Sequence, residues 1–179
     1  MNSVLLPVLE SLTLDKQPLR EEAILQIAMI LERHSDSPNG NAFYEGVLQE
    51  ELKGLQLSHE DQLHIANYLS DLIQNGKGGF DVIWALGKAK REIAFPLLVS
   101  SLGSQSGGFD EEFVWEALNA LNKFVVVSND DVDLEAQQQL LSDNHIDNWL
   151  TKVEKIGSPR NQEKARGLLA KIDAAKPYL

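Results

Sequence analysis

The four histidines are the residues whose chemistry could most readily supply a metal site or a general base. They are His34, His59, His64 and His145. The closest pair, His59 and His64, is five positions apart, which turns the two side chains about 140° from each other on an α-helix. Metal ligands on one helix are normally three or four positions apart, as in the H-E-x-x-H motif. The spacing therefore predicts exposed or helix-capping histidines and no metal site.

Other catalytic motifs are also missing from the sequence. The GKGG run at residues 76–79 lacks the Lys-Ser/Thr ending of a phosphate-binding loop and follows a helical pattern, so it predicts a turn. The serines of GSQSGG, residues 103–108, stand in no nucleophile-elbow motif. We therefore expect a protein that is not an enzyme and that needs no cofactor.

Paired carboxylates are frequent, and most of them stand where a helix is predicted to start. The pairs are Glu21-Glu22, Glu50-Glu51, Glu60-Asp61, Glu111-Glu112 and Asp130-Asp131. A negative charge in the first turn stabilises the positive end of the helix dipole, so the expected role is electrostatic capping. Asp130-Asp131-x-Asp133 looks superficially like a calcium loop, but it lacks the glycine and the distant glutamate that such a loop needs. We expect no calcium there.

Length and composition place the chain among ordinary globular proteins. It has 179 residues, 43% of them hydrophobic, 24% charged and none cysteine, which predicts a single domain over residues 1–179. No apolar run is long enough to span a bilayer, so no membrane association is expected. The first residues lack the basic region of a secretory signal, which favours a cytoplasmic protein.

The charge of the chain bears on its partners. The formal net charge of −11 disfavours nucleic acid, because phosphate binding depends on clustered lysine and arginine. The charge is also uneven along the chain: residues 103–148 carry a net −9, whereas residues 149–179 carry a net +4. Such asymmetry would steer a basic protein partner to one end of the molecule, although a solvated acidic face without a partner explains it equally well.

The hydrophobic pattern is helical along the whole chain. Helices are predicted at about 18–33, 42–53, 58–75, 80–90, 92–102, 110–124, 132–142, 145–156 and 158–175. Ser58 with Asp61 indicates a capping box, and Ser158 with Pro159 indicates an N-cap followed by proline at the first helical position. Residues 125–131 are predicted as a helix end and a loop, since no second strand candidate could pair with them. The chain is therefore predicted to be all-α, with eight to ten helices.

An internal repeat appears when the sequence is compared with itself. At a shift of 35 positions, Ala85-Leu86-Gly87-Lys88 matches Ala120-Leu121-Asn122-Lys123, and Phe80 falls on Trp115. A repeat of 20 to 50 residues with two helices per unit is typical of an α-solenoid, in which each repeat packs its apolar face on its neighbour.

These residues, with Ala94-Phe95-Pro96-Leu97-Leu98, resemble the HEAT repeat, and specifically the subtype named after phycobilisome lyases. We expect Pro96 to lie in the first turn of its helix, where its missing N–H costs nothing. Leu168-Leu169-Ala170-Lys171 and Ala28-Met29-Ile30-Leu31 fit the same helix, but at shifts of 48 and 55. The resemblance implies an α-α superhelix of about five helix pairs; the alternative is an irregular helical bundle such as a four-helix bundle.

The resemblance also suggests a binding surface. If the hydrophobic positions of the two clear repeats face the core, the remaining positions face outward, and we call these eight residues the outward stripe. They are Phe80, Asp81, Trp84, Lys88, Trp115, Glu116, Asn119 and Lys123. Proteins of this kind bind partners along a concave surface formed by the second helix of each pair. Alternatively, Phe80, Trp84 and Trp115 pack between repeats.

Two functions remain open at this point. The first is a non-enzymatic interaction or scaffold module that grips a protein partner with the outward stripe. The second follows from the resemblance: a phycobilin lyase-like activity or bilin-handling role, for which no chromophore-binding residue can be named. Some DNA glycosylases also resemble HEAT solenoids, but they need a basic groove, and Asp81 and Glu116 make this stripe acidic.

Overall fold

The structure is a computed structural model that describes residues 4–13, 17–36, 38, 40–103, 110–127 and 133–175. Within these residues the protein is all-helical, as predicted, and no strand is present. The helices are α1 Leu5–Ser11, α2 Gln17–Arg33, α3 Asn41–Val47, α4 Glu50–Lys53, α5 His59–Gln74, α6 Phe80–Leu86, α7 Arg91–Gly103, α8 Glu111–Phe124, α9 Leu134–Asp143, α10 Ile146–Ile156 and α11 Pro159–Ala174.

Local signals predicted several helix ends correctly. Ser58 and Asp61 form the predicted capping box at the start of α5, and Asp110 caps α8 by accepting a hydrogen bond from the Phe113 amide. Pro159 is the first residue of α11, as predicted, but the Ser158 side chain makes no capping hydrogen bond. The predicted turn at 76–79 is confirmed, since Gly76 has a positive φ of 67° and the Lys77 and Gly78 amides both donate to the Leu72 carbonyl.

Four expectations about the helices are wrong. The helix predicted over 42–53 is two helices, because Leu48 and Gln49 are extended, with ψ angles of 142° and 150°. The helix predicted over 80–90 ends at Leu86, after which hydrogen bonds between residues three apart tighten the chain into a turn. Pro96 is the sixth residue of α7 rather than part of its first turn, so the helix lacks one interior hydrogen bond there. α1 was not predicted, and the described residues hold eleven helices rather than the eight to ten expected.

Other sequence-based expectations fall partly outside the described residues. This applies to most of GSQSGG, to the Asp130-Asp131 pair and to the end of the loop predicted over 125–131. Val125 to Val127 are described and are not helical, as predicted. Of the carboxylate pairs within the described ranges, three lie in the first turn of a helix, those of α4, α5 and α8. Glu21-Glu22 does not, because α2 begins at Gln17.

The chain divides into two compact units, Met1–Leu97 and Leu98–Leu179. In the first unit, α5 and α6 form a helical hairpin, and α6 packs against α2. Arg20 near the start of α2 pairs with Asp81 near the start of α6. Glu32 near the end of α2 pairs with Lys88 just after α6. The two helices therefore run in the same direction, and the core between them and α5 contains fully buried leucine and isoleucine side chains.

The second unit repeats this arrangement with different helices. α10 and α11 form a hairpin, and α11 also packs against α8. Arg160 at the start of α11 contacts Glu112 at the start of α8, and Lys171 near the end of α11 donates to the Asn122 carbonyl near the end of α8. These two helices are also parallel. In each unit, the second arm of a hairpin thus lies beside an earlier helix of the same direction.

Candidate functional site

The α6 half of the outward stripe lies in the first unit, and its members differ in exposure. Phe80 opens the helix and is 53% exposed. Trp84, one turn later, is half-buried, and the Lys88 ammonium lies 5.2 Å from its ring centre. Because Phe80 and Trp84 are four residues apart, they share one face of α6. This face therefore presents one open aromatic ring and one partly covered ring.

The charged members of this half pair with α2. An Asp81 carboxylate oxygen lies 3.6 Å from the Arg20 guanidinium, which also donates to the Lys77 carbonyl at 3.2 Å. The Lys88 ammonium lies 2.8 Å from a Glu32 carboxylate oxygen. Both pairs are partly buried, so each charge has an oppositely charged neighbour close to a low-dielectric interior. Asp81 and Lys88 therefore already have partners on α2.

The α8 half of the stripe lies in the second unit, where α11 contacts it. The Trp115 ring, half-buried, has the Lys164 ammonium 4.4 Å and the Arg160 guanidinium 4.9 Å from its centre. Lys164 also donates a hydrogen bond to the Asn119 side-chain oxygen. A cation over the face of an indole is attracted by the ring quadrupole. The chain's own basic helix thus occupies the position that a basic ligand of Trp115 would take.

The same helix neutralises the acidic start of α8. Arg160 lies 3.1 Å from a Glu111 carboxylate oxygen and 2.5 Å from a Glu112 one. The hydrogen bond with Glu112, together with the charge of both carboxylates, raises the pKa of Arg160 above its ordinary value. Lys171, by contrast, has a lowered pKa because burial disfavours its charge. Part of the uneven charge along the sequence is therefore compensated inside the second unit.

The last two stripe residues, Glu116 and Lys123, differ in exposure. Glu116 is half-buried, and Lys123 is exposed with its ammonium 5.2 Å from the Phe124 ring centre. Taken together, the described contacts leave Phe80 as the most exposed aromatic side chain of the stripe.

The histidines lie where the sequence predicted, with one addition. His59, His64 and His145 are exposed, and His34 caps α2, with Nδ1 2.8 Å from the Ile30 carbonyl oxygen. The addition is that His34 is half-buried and also contacts Leu57 through its other ring nitrogen. Among the residues that the structure describes, no three His, Asp or Glu side chains are grouped so that they could hold a metal ion.

Three glutamines, Gln26, Gln62 and Gln137, are buried, and the sequence pattern predicted none of them. Gln26 was assigned to the polar face of its helix, yet it is only 2% exposed. Its amide donates to the Val47 carbonyl at 3.0 Å and accepts from the Gln49 amide at 2.8 Å. The Gln137 side-chain amide likewise donates to the Val126 carbonyl and accepts from the Val126 backbone amide. No local signal identifies Gln26 and Gln137, because the backbone groups that they bond lie 11 to 23 positions away in the sequence.

Comparison with known proteins adds no relative: no family model, no curated protein and no solved structure matches the chain. Over the ranges that the structure describes, every helix is too short or too polar to cross a membrane. Over the described residues, the structure therefore defines an all-helical protein of two units. In each unit, the second helix of a hairpin packs beside an earlier helix that runs in the same direction.

Proposed function

We propose that this chain is a HEAT-like α-solenoid that acts as a non-enzymatic protein-interaction or scaffold module in the cytoplasm. The observation that carries the proposal is the parallel packing of equivalent helices, α2 with α6 and α8 with α11. In a solenoid, equivalent helices of neighbouring repeats lie side by side and run in the same direction.

The residue spacing agrees with this assignment. Leu31 of α2 and Leu86 of α6 match in the repeat pattern at a shift of 55, and the contact between Glu32 and Lys88 joins residues 56 positions apart. The pattern of α8 matches that of α11 at a shift of 48, which is also the separation of Glu112 and Arg160. For these two pairs, helices that share a sequence pattern are thus neighbours within one unit, as stacked repeats require.

Within this framework, we assign partner binding to the aromatic face of α6. Phe80 is exposed and Trp84 is partly so, and aromatic side chains supply much of the binding free energy at protein interfaces. The α8 half of the stripe contributes less, since Arg160 and Lys164 already cover Trp115. A basic partner would be attracted by exposed carboxylates elsewhere in the second unit, such as Glu135, Asp143 and Asp147.

A matched pair of variants tests the proposal. Phe80→Ser removes the exposed ring of α6, and Phe43→Ser removes a ring of similar exposure, 47%, from α3 of the same unit. Affinity capture from the native cell extract should recover a partner with the wild-type chain and with Phe43→Ser, but several-fold less with Phe80→Ser. Equal recovery with all three proteins would show that the α6 face is not the binding surface.

A second experiment addresses catalysis. Co-expression with a bilin and a phycobiliprotein apoprotein, followed by absorbance, should show no covalent attachment that depends on this chain. Attachment that requires the chain would contradict a non-enzymatic role.

A further inference from the structure

His34 connects two segments of the first unit through both of its ring nitrogens. It follows the last residue of α2, with Nδ1 2.8 Å from the Ile30 carbonyl oxygen. The Leu57 amide donates a hydrogen bond to Nε2 over 3.1 Å. A carbonyl oxygen can only accept, so Nδ1 carries the hydrogen, and an amide can only donate, so Nε2 carries none. The contacts therefore require the neutral imidazole in its Nδ1–H form.

The segment that His34 holds leads directly into α5. Leu57 is buried and precedes Ser58, the N-cap of that helix. Arg33, the residue before His34, donates to the carbonyls of Lys53 at 2.6 Å and of Leu52 at 3.4 Å, and also to that of Leu55. The end of α2 thus fixes residues 52–57 with one permanently charged side chain and one side chain that can titrate.

We propose that His34 is a pH-sensitive latch between the end of α2 and the start of α5. Protonation at Nε2 turns this acceptor into a donor that faces the donor N–H of Leu57, so the hydrogen bond between them is lost. The bond to Ile30 can remain, because Nδ1 is protonated in both forms. Acidification therefore removes this one bond at the entry to α5, while the bonds from Arg33 to residues 52–55 and the end of α2 stay in place.

The charged groups around the latch come from several elements. Arg33, the last residue of α2, is adjacent to His34, and its positive charge opposes a second positive charge on the imidazole ring. Three carboxylates of these segments are engaged with other groups: Glu32 with Lys88, Asp36 with the Arg91 amide, and Asp61 with Ser58. Each is held by another group, so none is placed by these contacts to stabilise an imidazolium in place of the lost bond.

The direction of the pH effect follows from proton binding. The unfolded chain accepts a proton on His34 without losing a contact, whereas the folded chain loses the Leu57 bond. Protonation therefore costs the folded chain a hydrogen bond that the unfolded chain does not have, so acidification should lower the stability of this junction. This latch is a property of the fold and holds whether or not the proposed partner binding is correct.

Two measurements on the full-length chain test the latch. Long-range nitrogen–proton NMR at pH 7.5 should show His34 as the Nδ1–H tautomer; an Nε2–H tautomer would overturn the proposal, and this result needs no variant to fold. Amide hydrogen exchange, corrected for its intrinsic pH dependence, should show Leu57 opening about tenfold more at pH 5.5 than at pH 7.5, since one hydrogen bond of ordinary strength is lost.

Non-titrating variants separate His34 from the other histidines. In His34→Gln, the extra opening at Leu57 on acidification should disappear, while His64→Gln, a change at an exposed site of α5, should behave as wild type. If wild type and His34→Gln respond equally to acidification, or if His64→Gln abolishes the response, His34 is not the latch.

Discussion

Replacing Gln26 with leucine should destabilise the first unit although leucine is the more hydrophobic residue. The Gln26 amide joins the Val47 carbonyl and the Gln49 amide, and its NH2 group also donates to Glu22 at 2.8 Å. A leucine of similar size fills the space but leaves the two backbone groups without their partner. These groups lie at the break between α3 and α4, so the variant should loosen that break.

The size of the effect follows from the hydrogen bonds. Each of the two backbone bonds contributes about 1 kcal/mol net, and a donor or acceptor left without a partner in a buried place costs about 1–3 kcal/mol. Water can reach part of this site, because Gln49 is exposed, and the buried leucine gains about 1 kcal/mol from transfer out of water. We expect Gln26→Leu to lower the free energy of unfolding by about 2–3 kcal/mol.

Urea unfolding monitored by circular dichroism measures this difference. Gln74→Leu is the control, because Gln74 is exposed on α5 and hydrogen bonds only within its own helix, to Ser70. The control should stay within about 0.5 kcal/mol of wild type. A Gln26→Leu protein as stable as the control would refute the role assigned to the buried amide.

Two further predictions concern the second unit. A Cβ atom on Gly103 would lie 2.2 Å from the Asn144 carbonyl oxygen, whereas one on Gly167 would meet nothing within 4 Å. Gly103→Ala should therefore destabilise the protein by roughly 2–4 kcal/mol, and Gly167→Ala should stabilise it by about 0.5–1 kcal/mol. Thermal unfolding in which both changes have the same sign would contradict this packing. Replacing both Arg160 and Lys164 with alanine should uncover the Trp115 ring and increase acrylamide quenching of tryptophan fluorescence. The control Arg166→Ala, at an exposed site, should leave quenching unchanged. Unchanged quenching in the double variant would show that these cations do not cover the ring.

Much of the helical structure could be predicted because its signals are local. Ser58 with Asp61 and Asp110 before α8 mark helix starts within four residues of sequence, and the hydrophobic periodicity identifies α2, α5, α10 and α11. The break at Leu48 could not be predicted in this way, because Gln26 stabilises it from 23 positions away. A glutamine on a helix suggests solvent, and only the packed structure shows which backbone groups it satisfies.

The candidate site was predictable in part for the same reason. The repeat pattern identified Phe80 and Trp84 on one face of α6, and the structure leaves Phe80 exposed. It did not show that Asp81 and Lys88 pair with α2, or that Lys164 lies over Trp115. These contacts join residues 49 to 61 positions apart, and helical periodicity carries no information about such pairs.

The most direct test of the account is site-specific photocrosslinking at the α6 face. A photoreactive phenylalanine analogue at position 80 should give one dominant protein adduct in the native cell, and the same analogue at position 43 of α3 should not. The adduct at position 80 should also weaken when Trp84 is replaced by alanine. No adduct at position 80, or equal adducts at both positions, would contradict the claim that the aromatic face of α6 binds a protein partner.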